Sequence, residues 1–495
     1  MKLRSAIVVL LASLAAVACD RDDALWSGPV TTSKAEARRS LEEGLRAFDL
    51  QKMTTARSAF AAAVAADPGF GLARAFLAVS MNSTGDVNGE MKKAVEQGAS
   101  ATPEERLAIE MCRAWSVRDR AAARKAAAEL VESLPRDRLA RFLLGLLLLD
   151  ERKQAEAAQA LEAALAIDRG FAPAHVVLAR ARSAEGKHAE ARSAAQEAVR
   201  LLPGEALGHA ALGDVHKQAG DCDRAIASYT RALELDKGFV PAYGGRARCH
   251  RIREDFAASR RDYEAAFAKT AALPDGAYKE LFLDWAKAED LSFEVAMTNL
   301  FEGDFAKAAS AARETIEFCN RVRPQNAIFY YDALGRIYLE DGKLEAALAT
   351  YRDGHESVLR TKPTYPDDQL WLGRYVHAQG RIHARARRFR EALAKAAELE
   401  AMIDRAGSEG EPYRMSHHYL MGYIRLEQKA YAQALVELKQ ADQDDVFIQW
   451  LLARAHRGLG SEAEAAALID SIRAQRGGGF RYALVRRDVL RWGRP

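Results

Sequence analysis

A spacing of thirty-four residues, kept without slippage through the middle of the chain, limits the fold more than any other feature. Gly145, Ala179, Gly213 and Ala247 fall on it, and Ala164, Ala198, Ala232 and Ala266 repeat in the same register. Ala157, Ala191 and Ala225 form a third row ending at Ser259, and Leu144, Leu178 and Leu212 form a fourth. A fixed period of this length specifies a stack of like supersecondary units, because one unit alone cannot bury its apolar face. A stack also explains how 495 residues avoid a single oversized core, since it extends its interior one unit at a time.

The rows consist of small residues because two antiparallel helices whose axes lie about 8–10 Å apart need Gly or Ala where the backbones cross. Gly213 on a first helix and Ala225 on a second, twelve positions later, make a compact test for further units. Gly44/Ala56, Gly335/Ala347, Gly380/Ala392, Gly422/Ala434, Ala296/Ala308 and Ala453/Ala465 all meet it, giving about twelve units in total. The units beginning near Gly71 and Glu104 are degenerate, with Glu90 where a small residue belongs and with Met111 and Leu130 at crossing positions. A hydrophobic fraction of 49% with abundant alanine suits densely packed short helices, and no run of alternating β-branched residues stands out.

The segment Ala206 to Phe239 carries Leu212-Gly213, His216, Gly220-Asp221, Ala225-Ile226, Tyr229 and Ala232-Leu233-Glu234-Leu235-Asp236. It resembles a tetratricopeptide repeat, a helix-turn-helix unit of this length, with Lys237 at the family's proline and His209 at its tryptophan. The fold class this implies is all-α: a superhelical tetratricopeptide-repeat solenoid of antiparallel helix pairs. The expected organisation is an array over 37–273, a connector helix over 274–288, an array of longer units over 289–479 and a basic capping helix over 480–495. The helix expected over Tyr278 to Asp290 follows from its apolar periodicity, after the breaker Leu273-Pro274-Asp275-Gly276.

Residues 1–18 have the profile of a secretory signal peptide, with Lys2 and Arg4 ahead of an apolar run too short to span a bilayer. Leu14-Ala15-Ala16-Val17-Ala18-Cys19 resembles the lipobox of bacterial lipoproteins, which implies a lipid-bearing Cys19 at the mature N-terminus. Ala16-Val17-Ala18 also reads as an ordinary small-x-small cleavage site, and both routes place the product outside the cytoplasm. The expected location is the cell envelope, lipid-anchored and facing the periplasm or the outer surface; with plain cleavage it is secreted or soluble in the periplasm. Asp20 directly after the cysteine resembles an inner-membrane retention signal of some enterobacterial lipoproteins. Residues 19–36, with Asp20 to Asp23 and Gly28-Pro29, read as a polar tether.

With 72 basic and 69 acidic side chains the chain lacks the concentrated positive surface that nucleic acid requires. The end is the exception, where Arg473, Arg476, Arg481, Arg486, Arg487, Arg491 and Arg494 face Asp488 alone, and Tyr482, Val485, Val489 and Trp492 form one apolar stripe. That pattern fits a helix closing the stack, or a contact with a membrane surface or an anionic partner. Cys112, Cys222, Cys249 and Cys319 read as buried thiols filling small slots, with a bridge conceivable in an oxidising compartment. His175 and His209, like His216 and His250, recur at interior repeat positions. Without a phosphate-binding loop, HExxH or GxSxG motif, no cofactor, metal, small-molecule substrate or enzymatic activity is expected.

In the family that the repeats resemble, first helices line a concave surface through their second, fifth, ninth and twelfth positions. Here these are Leu139, Phe142, Leu146 and Leu149, then Val176 with Arg180, then Leu207, Asp214 and Lys217, then Arg248 and Arg251. Such a groove would take a segment with an apolar anchor followed by acidic groups. Phe142 to Leu149 is apolar on all sides, so this helix can equally be buried on both faces. The family's lysine and asparagine clamp for a chain-terminal carboxylate is absent, the ninth positions being Leu146, Arg180, Asp214 and Arg248. The function expected is a scaffold that binds a protein or peptide and assembles or positions an envelope complex. The alternative is a self-associating spacer without a ligand groove.

Overall fold

A computed structural model describes residues 24–50, 52–81, 86–273, 277–279, 285–361, 368–475 and 478–493. The signal peptide and Cys19 lie outside the described residues. Helices make up nearly all of the described residues, and successive helices pack as antiparallel pairs. The fold is an all-α tetratricopeptide-type solenoid. The chain divides into two compact units, Met1–Gly245 with Lys269–Ala286, and Arg246–Ala268 with Lys287–Pro495.

The first unit contains the helix pairs α1 (Ala35–Asp49) and α2 (Met53–Ala66), α3 (Gly71–Ser80) and α4 (Val87–Gly98), α5 (Pro103–Ser116) and α6 (Arg120–Ser133), and α7 (Arg138–Asp150) and α8 (Gln154–Ile167). The pairs α9 (Ala172–Ala184) and α10 (His188–Leu201), then α11 (Ala206–Gln218) and α12 (Cys222–Leu235), follow. Helices α13 (Val240–Ile252) and α14 (Phe256–Ala271) continue the register, but the division between units passes through both of them. Residues 246–268 belong with the second unit, to which Arg251 is tied through Glu294 and Arg260 through Asn299 and Glu302. The repeat period runs straight through this boundary, so residues 246–268 of the expected array over 37–273 fall in the second unit.

Helix starts obey local chemistry. Thr102 and Glu105 form a reciprocal capping box at α5, and Asp119, Asp137 and Asp221 each accept a backbone N–H at the head of α6, α7 and α12. The turn inside each pair is equally regular. Arg118, Arg152, Gly186, Gly220 and Glu254 stand thirty-four residues apart, and all adopt left-handed φ values of 60–80°. The period is thus a backbone conformation as well as a packing pattern, and glycine occupies two of these five turns without steric cost.

Inside the pairs, five of the crossing glycines face one large side chain sixteen residues later. A Cβ on Gly44, Gly145, Gly213, Gly335 or Gly422 would lie 2.4–2.8 Å from Phe60, Leu161, Tyr229, Tyr351 or Leu438, respectively. Gly380 departs from this, since Ala396 stands sixteen positions on and Leu420 from the next pair fills the space. The degenerate units still form helix pairs. Glu90 is accommodated because buried Arg74 reaches it at 2.5 Å while also binding Gln97 and the carbonyl of Pro68. Met111 and Leu130 are fully buried.

Two expectations require correction. The described parts of the connector over 274–288 hold two paired three-residue strands, β1 (Ala277–Lys279) and β2 (Trp285–Lys287), followed by helix from Ala288. The Pro274-Asp275-Gly276 breaker and the aromatic residues of the segment favour extended pairing over the apolar periodicity that suggested helix. The second correction concerns the tether. Residues 24–34 form an ordered strap packed on the first unit, with Leu25, Trp26 and Thr32 buried. The apolar side chains of Leu25 and Trp26 and the hydroxyls of Ser27, Thr31 and Thr32 give this segment enough to bind with, despite its polar composition.

The second unit contains α15 (Ala288–Glu302) and α16 (Phe305–Val322), α17 (Ala327–Glu340) and α18 (Leu344–Thr361), α19 (Asp368–Arg385) and α20 (Phe389–Ala406), α21 (Arg414–Glu427) and α22 (Tyr431–Leu438), and α23 (Val446–Gly458) and α24 (Glu462–Ala474). A final helix, α25 (Phe480–Arg491), packs on α23 and α24 and also on α15, so it joins the last pair of this unit to its first. Its stripe of Tyr482, Val485 and Val489 is buried. Phe301 meets the Tyr482 ring at 5.6 Å, Phe293 meets Phe480 at 5.7 Å, and Trp450 meets Trp492 at 5.3 Å. The basic residues of α25 are engaged within the unit, Arg481 with Asp445 and Arg486 with Glu254. Cys112, Cys222, Cys249 and Cys319 are buried thiols outside any disulfide.

Candidate functional site

The strap uses carboxylates already placed by the helix caps. Asp137 accepts the Ala140 N–H through Oδ1, which starts α7, and takes the Ser27 backbone N–H and hydroxyl through Oδ2 at 2.8 and 2.7 Å. Glu105, the capping-box residue of α5, binds the backbone N–H and hydroxyl of Thr31. Glu42 on α1 accepts the N–H groups of Leu25 and Trp26, and Asp67 accepts the Thr32 hydroxyl at 2.5 Å. Three repeats thereby hold one extended segment by its backbone as well as its side chains. Sequence reasoning overlooked this site, although Leu25-Trp26 amid polar residues was the available signal.

Leu139, Phe142 and Leu146 are fully buried in the same core as Leu25, Trp26, Leu45 and Phe48. Val176 and Leu207 are buried as well, and Leu149 is half-buried. The leucines are therefore interior, the outcome that an all-apolar helix allowed, and an open greasy groove is not formed by them. The Asp49 carboxyl at the end of α1 is also buried, without a hydrogen-bond partner. Burial pushes it well above the usual carboxylate range, Glu42 adds to this, and Arg138 opposes it.

The polar members separate into two groups. Lys217 reaches Asp214 at 2.7 Å, the Tyr229 hydroxyl donates to the same oxygen at 2.7 Å, and Arg180 adds a further positive charge nearby. Burial raises the Asp214 carboxyl, but Lys217, Arg180 and these hydrogen bonds together hold it below the usual range. Arg180, Asp214 and Lys217 keep part of their surface exposed. Arg248 and Arg251 belong to the second unit. Arg248 is exposed, whereas Arg251 is buried, pairs with Glu294 and lies 4.7 Å above the Phe301 ring. Arg251 is thus part of the interior that joins α13 to α15, not of a ligand surface.

The second unit encloses a cavity of about 320 Å³. Its walls come mainly from first helices of successive pairs: Asp332 and Arg336 on α17, His377 and Arg381 on α19, Tyr419 on α21 and Ile448 on α23. Arg481 of α25 closes one side, and Leu399, Met402 and Ile403 of α20 form an apolar wall. Arg381 donates to the hydroxyls of Tyr419 at 3.3 Å and Tyr351 at 3.1 Å, and Arg336 donates to Tyr419 at 3.2 Å. Burial and the charges of Arg381 and Arg336 hold the His377 imidazole well below its ordinary pKa, so it is neutral. Burial pushes the Tyr351 phenol up to about 12. These residues lie where the repeat spacing is irregular, and sequence reasoning named none of them as a site.

Among the described residues no group of three His, Cys, Asp or Glu side chains could hold a metal ion, and no helix is long and apolar enough to cross a membrane.

The family model of the tetratricopeptide repeat matches residues 112–173, 176–236 and 210–277. These residues carry tetratricopeptide repeats. No curated protein is significantly similar to the chain. Among solved structures, a tetratricopeptide repeat protein from Parabacteroides merdae is 15% identical with a TM-score of 0.36, covering 55% of this chain and 97% of that one. A tetratricopeptide repeat protein from Thermus thermophilus is 20% identical with a TM-score of 0.34, over 40% of this chain and 99% of that one. MamA is 21% identical with a TM-score of 0.28, over 32% of this chain and 93% of that one.

Proposed function

We propose that the chain is a non-enzymatic tetratricopeptide scaffold, exported and held at the bacterial cell envelope by lipid on Cys19, which binds a protein or peptide partner to assemble or position an envelope complex. Tetratricopeptide repeats are protein-interaction modules, and one observation carries the peptide-binding reading. The first unit already holds an extended segment, its own residues 24–34, through carboxylates aimed at backbone N–H groups and hydroxyls. The partly exposed Arg180, Asp214 and Lys217 cluster offers a second polar surface in the same unit, suited to acidic groups. The lipobox-like run before Cys19 supports the anchor.

Two measurements test this. Cys19→Ser should move the chain from the membrane fraction to the soluble fraction of the envelope, and unchanged membrane association removes the lipid anchor. A photo-crosslinking residue at Lys217 should capture one discrete partner in intact cells, and Arg180→Glu should abolish that product at unchanged helical content. Capture of only a second copy of the chain supports the self-associating spacer instead.

A further inference from the structure

The cavity of the second unit holds two guanidinium groups with no direct ion pair among the described residues, the charges of Asp332 and Glu340 reaching them only from beyond ion-pair distance. Arg336 and Arg381 are 8% and 2% exposed. Neither lies within ion-pair distance of a carboxylate among the described residues, and their hydrogen bonds go to phenol hydroxyls. Arg381 Nε has no hydrogen-bond partner, and neither has Nε2 of buried His377 on the same helix. A buried cation without an anion is costly, so proteins pair such groups or leave them for a ligand.

The acidic groups around the cavity do not fill this role. Asp445 is spent on Arg481 and on the Phe447 N–H that starts α23. Asp442 accepts the Asp444 N–H at 3.1 Å, and Glu409 is exposed at the rim. Asp332 shares the wall with Arg336 and its charge favours the Arg381 cation, but it lies beyond ion-pair distance of both arginines. Glu340, outside the lining, is 4.0 Å from Arg385 and acts on Arg381 and Arg336 through its charge alone, without a hydrogen bond to either. Leu399, Met402, Ile403 and Ile448 contribute apolar surface to the same lining.

We propose that this cavity binds a small amphipathic organic anion, its acidic group held between Arg336 and Arg381 and its apolar body laid against Leu399, Met402 and Ile403. A volume near 320 Å³ falls at the lower end of small-molecule sites and is too small for a folded partner. Planar guanidinium groups suit carboxylate and phosphate alike, because both present oxygens in forked geometry. The proposal goes beyond the scaffold reading, since it requires neither lipid on Cys19 nor a protein partner.

Titration calorimetry on the purified full chain tests it with four probes: octanoate, octyl phosphate, octan-1-ol and inorganic phosphate. The expected result is one-site binding of octanoate or octyl phosphate, the tighter of the two identifying the acidic group, with octan-1-ol and inorganic phosphate at least tenfold weaker. Arg381→Met should weaken that binding at least tenfold while the ligand-free melting temperature stays level or rises, because an unpaired buried cation has been removed. Ile403→Trp fills the apolar side with both arginines intact and should abolish binding, which keeps the test decisive if Arg381→Met fails to fold. The proposal is overturned if neither anion binds, if octan-1-ol or inorganic phosphate binds as tightly, or if both variants bind like the wild type.

Discussion

The guanidinium of Arg486 meets the carboxylate of Glu254, 232 residues earlier in the chain, and donates to the carbonyl of Phe301 as well. One side chain of the last helix thus ties together the pieces with which the second unit begins. Helix α25 is more than a lid on the final repeat, because it links the two ends of its unit. Arg486→Ala removes a charge-assisted hydrogen bond to a backbone carbonyl and should cost about 1.5–3 kcal/mol. Urea unfolding followed by tryptophan fluorescence, with Trp450 and Trp492 as reporters beside α25, would read this. An unchanged midpoint contradicts the linking role.

Gly213 faces the Tyr229 ring, and a Cβ there would lie 2.7 Å from it. Alanine is the better helix former by about 1 kcal/mol, so propensity alone predicts that Gly213→Ala stabilises. Overpacking costs about 1–3 kcal/mol and should win, because the ring is fully buried and has little room to retreat. Thermal denaturation should show a lower midpoint, and a higher one would mean that the helix pair opens without penalty.

Arg152 takes a left-handed φ of 60° at a turn where Gly186 and Gly220 stand in the next two repeats. Its side chain is exposed, so replacing it with glycine loses little packing. Left-handed backbone costs an L-residue about 1–2 kcal/mol, partly offset by the greater freedom of glycine when unfolded. Arg152→Gly should therefore stabilise by up to about 1 kcal/mol in chemical denaturation. Loss of stability would show that the Arg152 side chain holds the turn.

Asp49 gives the first unit a dependence on pH. Burial raises its carboxyl well above the usual range in the folded chain. A carboxyl with a raised folded pKa destabilises nothing below its unfolded value of about 4, and its penalty grows as pH rises from there towards the folded pKa. Asp49→Asn removes that titration, so its melting temperature should exceed that of the wild type at pH 7, with the advantage shrinking towards pH 4. The same difference at both pH values would assign the effect to something other than Asp49 ionisation.

How far the molecule could be read from its sequence depends on what kind of contact is involved. Gly213 and Ala225 mark a helix pair because a backbone crossing admits only small residues, and such a constraint repeats with the unit. Tyr229, which fills the space over Gly213, was visible in the repeat but not as its counterpart, since many large residues could fill the same slot. The strap was lost because Leu25 and Trp26 are only two apolar residues, and their burial depends on carboxylates up to 110 positions away. Arg336, Arg381 and Tyr419 meet across three helix pairs whose spacing is irregular, so no period aligns them. The division at Gly245 leaves no mark on the repeat register, because it arises from polar pairs such as Arg251 with Glu294.

The strap has a mechanical consequence for a chain acylated at Cys19. Buried Leu25 stands six positions after that cysteine, and six steps of chain reach at most about 20 Å even when fully drawn out. Most of what reads as a leash is fastened to the protein, so the first unit would ride close against the bilayer with restricted tumbling. Anything it grips would be met near the lipid surface, by diffusion in two dimensions.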